Sequence, residues 1–172
     1  MIRGRNRVRP CVRNPAGSAR EEAVLEDQRS VAVNDVILSC SDAADQYETA
    51  SSIVEDPSLR EFFLRLVEAR RVFVSRLEEG MRSLEKLPMA PDTEKEALES
   101  LWMRIKATVK KNHEEVLLQE GVRLEKHIRA CTEQALKQEL PAKLLQILEE
   151  LKQEADGSLK ILEKEIDRRA AG

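Results

Sequence analysis

Apolar residues recur at spacings of three and four along most of the chain beyond Ser30, in stretches separated by short proline-containing breaks. That rhythm predicts long amphipathic helices. The first runs from about Ser30 to Val54, with Val33, Val36, Ile37, Cys40, Ala44, Tyr47, Ser51 and Val54 on its inward face. The second follows the corner Glu55-Asp56-Pro57, with Asp56 as cap and Pro57 at the first helical position, where a missing N–H costs nothing. It runs to about Lys86 on Leu59, Phe62, Phe63, Leu66, Phe73, Leu77 and Leu84. Arg70 falls inside that stripe by helical phase, so it needs a partner or an escape along its stem.

Leu87-Pro88-Met89-Ala90-Pro91-Asp92 reads as a loop, followed by a shorter helix carrying Leu98, Leu101, Trp102, Ile105 and Val109. Asn112 and Glu115 form a new capping signal, which predicts a break near Asn112. A third main helix then runs from about His113 to Gln138, with Leu117, Gly121, Leu124, Ile128, Cys131 and Ala135 inward. Leu140-Pro141 makes a second tight corner. The last helix extends from Pro141 to about Arg168 on Leu144, Leu148, Leu151, Ala155, Leu159, Leu162 and Ile166. Tight corners join helices 1–2 and 3–4, whereas about 25 residues with a helix of their own join helices 2 and 3. The expectation is an all-α four-helix bundle of ferritin-like connectivity, with a helical crossover between helices 2 and 3.

Composition supports helices and sharpens the limits. Of 172 residues, 35% are charged and only 3% aromatic, and no stretch alternates apolar with polar residues as a strand would. Residues 1–20 hold six arginines, Arg3 to Arg20, and no acid, leaving 23 basic against 32 acidic residues in the rest, a balance of −9. Such a body repels phosphate backbones, so nucleic acid is not an expected partner for it. Residues 1–29 lack helical periodicity and read as a disordered basic extension to a bundle spanning residues 30–169. That extension offers at most a weak contact for anions. No apolar run is long enough for a transmembrane segment or a signal-peptide core. Cys11, Cys40 and Cys131 are widely spaced and odd in number, which suits a reducing, cytoplasmic setting and no zinc site.

An ordered series of residues resembles a bacterial ferritin-like family described as a domain of unknown function. The series runs Val33-Asn34-Asp35-Val36-Ile37, Ser41-Asp42, Tyr47, Asp56-Pro57-Ser58-Leu59, Phe63, Arg70 and Phe73. It is similar to the family's "LNDLIE", "D…Y", "DPxL" and "F…R..F" stretches. Trp102-Met103-Arg104-Ile105-Lys106-Ala107 is similar to its "WxDLKA", and Glu120 and Glu125 fall where it is acidic. The resemblance covers about residues 31–165 and implies a ferritin-like fold with no settled activity. Ala69 departs from the family's Glu before the arginine. No His stands near Ala155 or Asp156, where the family often has one.

A ferritin-like fold raises a di-iron or di-manganese centre, which needs a Glu from each of two helices and Glu-x-x-His from each of the others. Lys110 precedes His113 by three residues and Leu124 precedes His127, so neither motif is present. Asp42, Asp45 and Glu68 fall on the outer sides of their helices. Glu120, His127 and Asp156 are the remaining candidates for an atypical metal site. The simpler reading pairs Glu120 with buried Arg70, makes His127 a boundary residue with a hydrogen bond, and places Tyr47 in the interior with its hydroxyl bonded. No nucleophile stands at motif spacing from a base, and no phosphate-binding loop is present. The chain thus reads as a non-catalytic bundle without cofactor, acting through a protein partner or as a homo-oligomer. Leu145 and Ile161, apolar but off the main stripe, suit association. The alternatives are a metal-binding or redox bundle holding iron or manganese, and an elongated helical adaptor.

Overall fold

A computed structural model describes residues 15–82 and 113–171, with side chains from Gln28 onward. Among the described residues there are four α-helices and no strand: α1 (Pro15–Ile53), α2 (Pro57–Arg82), α3 (His113–Ala135) and α4 (Ala142–Ala170). Cross-links between the helices give their directions. Near one end, Arg169 of α4 meets Asp56 before α2 and Glu114 at the start of α3. Near the other, Arg29 of α1 meets Glu139, and Lys143 of α4 meets Glu79 of α2. Hence α1 and α4 run one way and α2 and α3 the other, and α2 ends at the opposite end of the bundle from the start of α3. In cross-section α1 packs on α2 and α3, and α4 packs on α3 and, less closely, on α2. The protein is an all-α four-helix bundle. The crossover helix expected over residues 93–109 lies outside the described residues.

The inward stripes are those the periodicity predicts. All eight expected positions of α1 are buried, from Val33 to Val54. Phe63, Leu66 and Leu77 of α2, Leu117, Leu124 and Ile128 of α3, and Leu144, Leu148, Leu151 and Leu162 of α4 close the core from the other sides. Each such side chain taken out of water stabilises the bundle by ~1.5–3 kcal/mol before entropy is set against it. Phe62, Cys131 and Ile166 sit at the margin rather than inside, and Leu145 is half-buried.

The first corner is built as expected. Asp56 accepts the backbone N–H groups of Ser58 (2.8 Å) and Leu59 (3.4 Å), which an N-terminal helix turn leaves without partners of its own. The corner's own N–H groups, from Glu55 and Asp56, are taken by the Glu114 carboxylate at 3.2 and 3.0 Å. At the second corner, Pro141 is extended (φ −58°, ψ 147°) and its carbonyl accepts from Leu144 and Leu145.

Two boundaries differ from expectation. Helix α1 begins at Pro15, not near Ser30. The expected start rested on the apolar stripe, but residues 15–29 open on a proline and are rich in Ala, Glu and Arg, whose intrinsic preference sustains a helix without a stripe. Residues 1–14, with Arg3 to Arg13, lie outside the described residues. Helix α3 ends at Ala135, three residues early: the carbonyls of Gln134 and Ala135 turn to Lys137 and Gln138 (3.2 and 3.0 Å) ahead of the Leu140-Pro141 step.

Candidate functional site

At the centre of the bundle all four helices contribute polar side chains to a single cluster. The spacing Phe63, Leu66, Arg70, Phe73, Leu77 carries Arg70 of α2 to the axis, where it is 0% exposed. Its Nη2 donates to Glu125 Oε2 of α3 at 2.6 Å, and its Nη1 donates to Glu154 Oε2 of α4. From α1, the Tyr47 hydroxyl donates to the other Glu125 oxygen at 2.6 Å and lies 3.3 Å from the Gly121 carbonyl. Ser158 donates to Glu154 Oε1 at 3.1 Å.

Packing fixes this geometry. The Tyr47 ring stacks on Phe63 with centroids 5.8 Å apart. Gly121 leaves the space that lets α3 approach the Tyr47 ring and α4: a Cβ there would lie 3.1 Å from Leu162 Cδ2 and 3.6 Å from Tyr47 Cε1.

The electrostatics follow from burial and neighbours. Burial alone pushes the Glu125 carboxyl up, the Arg70 guanidinium and the Tyr47 hydroxyl pull it down, and the net direction is upward. Burial also opposes the Arg70 charge, but Glu125 and Glu154 together outweigh it, so the guanidinium is held more firmly protonated than usual. Burial, then the Glu125 charge, raises Tyr47 well above the ordinary phenol range. Burial pushes the nearby Cys40 thiol up to about 12, which keeps it protonated and unreactive at neutral pH. The chemistry available is therefore charge neutralisation: a buried carboxylate, a partly exposed one and a phenol surround a cation that the chain itself supplies.

The expected site residues divide. Tyr47 and Arg70 are buried and bonded, as their phase predicts. The pairing of Glu120 with Arg70 is corrected: Arg70 takes Glu125 and Glu154, and the Glu120 Oε1 atom accepts from Arg123 at 2.5 and 2.8 Å. Five residues turn a helix by roughly 140°, so Glu125 meets Arg70 where Glu120, also buried, turns to Arg123. His127 is exposed, with its Nε2 3.8 Å from Cys131 Sγ. Asp156 faces Arg129 at 3.3 Å. Glu120, His127 and Asp156 thus have different neighbours. Among the described residues no group of three or more His, Cys, Asp and Glu side chains is placed to hold a metal ion.

Sequence reasoning did not single out Glu154 or Arg169. Glu154 precedes core residue Ala155 and was one of several acids on α4 with equal claims. Arg169 forms a second cluster at the bundle end, where its guanidinium joins Asp56 (2.8 Å), Glu114 and Glu165 (2.6 Å). Glu165 is its i−4 neighbour, a spacing visible in the sequence, but Asp56 and Glu114 lie in distant parts of the chain and no local spacing announces them.

Comparison with known proteins adds one match. No curated protein and no solved structure matches the chain. Residues 28–138 match the domain of unknown function DUF2383, a span that contains Tyr47, Arg70 and Glu125 and stops short of Glu154. With more than half of its length matched, and all of α2 and α3 and most of α1 inside the match, the chain belongs to the DUF2383 family.

Proposed function

We propose that this chain is a ferritin-like bundle that works by protein association, with a partner or with a second copy of itself, and not by chemistry in its core. The observation that carries this reading is the commitment of the acids that face the core. Glu125 and Glu154 both face Arg70, so a guanidinium stands where carboxylates facing one another across a bundle would otherwise gather a metal cation. What remains for recognition is the outer surface, which is acidic overall and carries Leu64, Val72 and Ile161 at 44–53% exposure. Nucleic acid is a poor fit to that charge.

The test pairs two measurements on the full chain. Light scattering across a concentration series is expected to show a reversible dimer, or a heteromeric complex when cell extract is supplied and the bound protein is identified. Elemental analysis after incubation with ferrous iron or manganese and desalting is expected to show no stoichiometric metal. One or two retained metals per chain, lost on Glu125→Gln or on Glu120→Ala, would replace the association reading with a metal-binding one. A strict monomer that captures no identifiable protein would also count against it.

A further inference from the structure

Helices α2 and α4 pack less closely than the other neighbouring pairs, and toward the end where α2 begins they part to leave a cleft of about 560 Å³. Its floor is apolar: Leu59 of α2, Leu118 of α3 and Leu162 of α4 are buried core residues that it reaches. Half-buried Phe62 and exposed Ile161 form the walls. The rim is polar and biased in sign, with Arg65, Lys164 and Arg168 against Asp56 and Glu165.

The two acids are already engaged. Asp56 caps α2 and takes Arg169, and Glu165 takes both Arg168 and Arg169. Hydrogen bonds from Arg168 and then Arg169 hold the Glu165 carboxyl down at about 2, so it is ionised and occupied at any ordinary pH. The cations are less committed. Lys164 makes no ion pair among the described residues, and the ion pair of Arg65 is with Glu61, at 4.0 Å between two well-exposed side chains, while its guanidinium carbon lies 6.0 Å from the centre of the Phe62 ring. A local surplus of positive charge thus overhangs an apolar floor on a body whose balance is −9.

We propose that this cleft is a binding site for a small amphiphile bearing one anionic group, with its apolar part on Phe62 and the leucine floor and its charge between Arg65 and Lys164. The volume falls in the range of small-molecule sites, roughly 300–1,000 Å³, and the space between helices of a bundle is a common place for one. An anion at the rim gains from two cations that have no better partner. A neutral molecule of the same shape gains only the burial, and a cation is repelled.

Calorimetry of the full chain with dodecanoate, kept below its micelle concentration, tests this. One dodecanoate per chain is expected, with dodecan-1-ol weaker by about tenfold or more and dodecyltrimethylammonium without measurable binding. Dodecyl phosphate is expected to bind as dodecanoate does, whereas inorganic phosphate is not expected to compete. The double variant Arg65→Glu, Lys164→Glu is expected to lose dodecanoate binding by about tenfold or more at an unchanged unfolding midpoint, since both side chains are exposed. Equal binding of dodecan-1-ol, several dodecanoates without saturation, competition by inorganic phosphate, or binding untouched by the double variant would each overturn the assignment. So would the absence of any dodecanoate binding.

Discussion

Arg70 holds a full charge where no solvent reaches it, and the surrounding atoms show how that is sustained. Two of its nitrogens face carboxylates, while Nε has no acceptor. Breaking a buried pair costs far more than the pair contributes, because the remaining charge is stranded. Arg70→Met is therefore expected to destabilise the protein by ~3–5 kcal/mol in urea unfolding, and adding Glu125→Gln to recover part of the loss. In that single variant Glu125 has a raised pKa and no cation beside it. Its contribution is present below the unfolded-state value of about 4.3 and lost as pH rises through the folded one. Acidification from neutrality toward about pH 4.3 should thus restore stability to Arg70→Met relative to the parent. Tyr47→Phe removes only the hydroxyl that serves Glu125 and should cost about 2 kcal/mol in the same assay. The inward phases of Arg70 and Tyr47 were legible, because each lies on a stripe of its own helix. The identity of the acid was not. Glu120 and Glu125 share a helix, and choosing between them requires the rotation and axial register of α3 against α2, which no spacing within one helix contains.

Within the helices, two glycines separate local preference from packing. A glycine inside a helix costs about 0.5–1 kcal/mol relative to alanine. At Gly157 nothing stands within 4 Å of an added Cβ, so Gly157→Ala should raise stability by about that amount in thermal or urea unfolding. At Gly80 an added Cβ would come 2.5 Å from Leu144 Cδ2, and Leu144 is itself fully buried. Gly80→Ala should therefore lower stability by about 1–2 kcal/mol despite the better helix former, as overpacked cores do. Opposite signs for one substitution on neighbouring helices would confirm that α2 and α4 meet closely at Gly80 whereas Gly157 faces solvent. Caps and inward faces were legible because they are local: Asp56 before Pro57, and apolar residues every third or fourth position. The start of α1 was missed because propensity without a stripe leaves no periodic trace in residues 15–29.

For the whole molecule, the cluster at Arg169 does what the helix stripes do not: it ties the first corner, the start of α3 and the last turn of α4 together. Its acid dependence has a definite sign. Glu165 titrates at about 2 in the folded protein against about 4.3 when unfolded, so its contribution is complete above the higher value and lost as pH falls through the lower one. Glu165→Gln should flatten the fall of unfolding free energy with pH in that window and leave its shape near neutrality unchanged. The order of helices and the two tight corners were legible from connection lengths. Beyond those two hairpins, which helices lie side by side was not, nor that α2 and α4 leave a cleft, since both depend on side-chain volumes meeting across the bundle.

The four-way construction around Arg70 also bears on the order in which a ribosome releases this chain. The first hairpin emerges with a guanidinium on its apolar face, and the acid that completes its pairing, Glu154, lies 84 residues further on. Until α3 and α4 arrive, the face that α1 and α2 present to them carries a guanidinium without either of its carboxylates. The nascent hairpin should therefore remain wet and open to proteases, and closure should come as a single late event once α4 has left the exit tunnel.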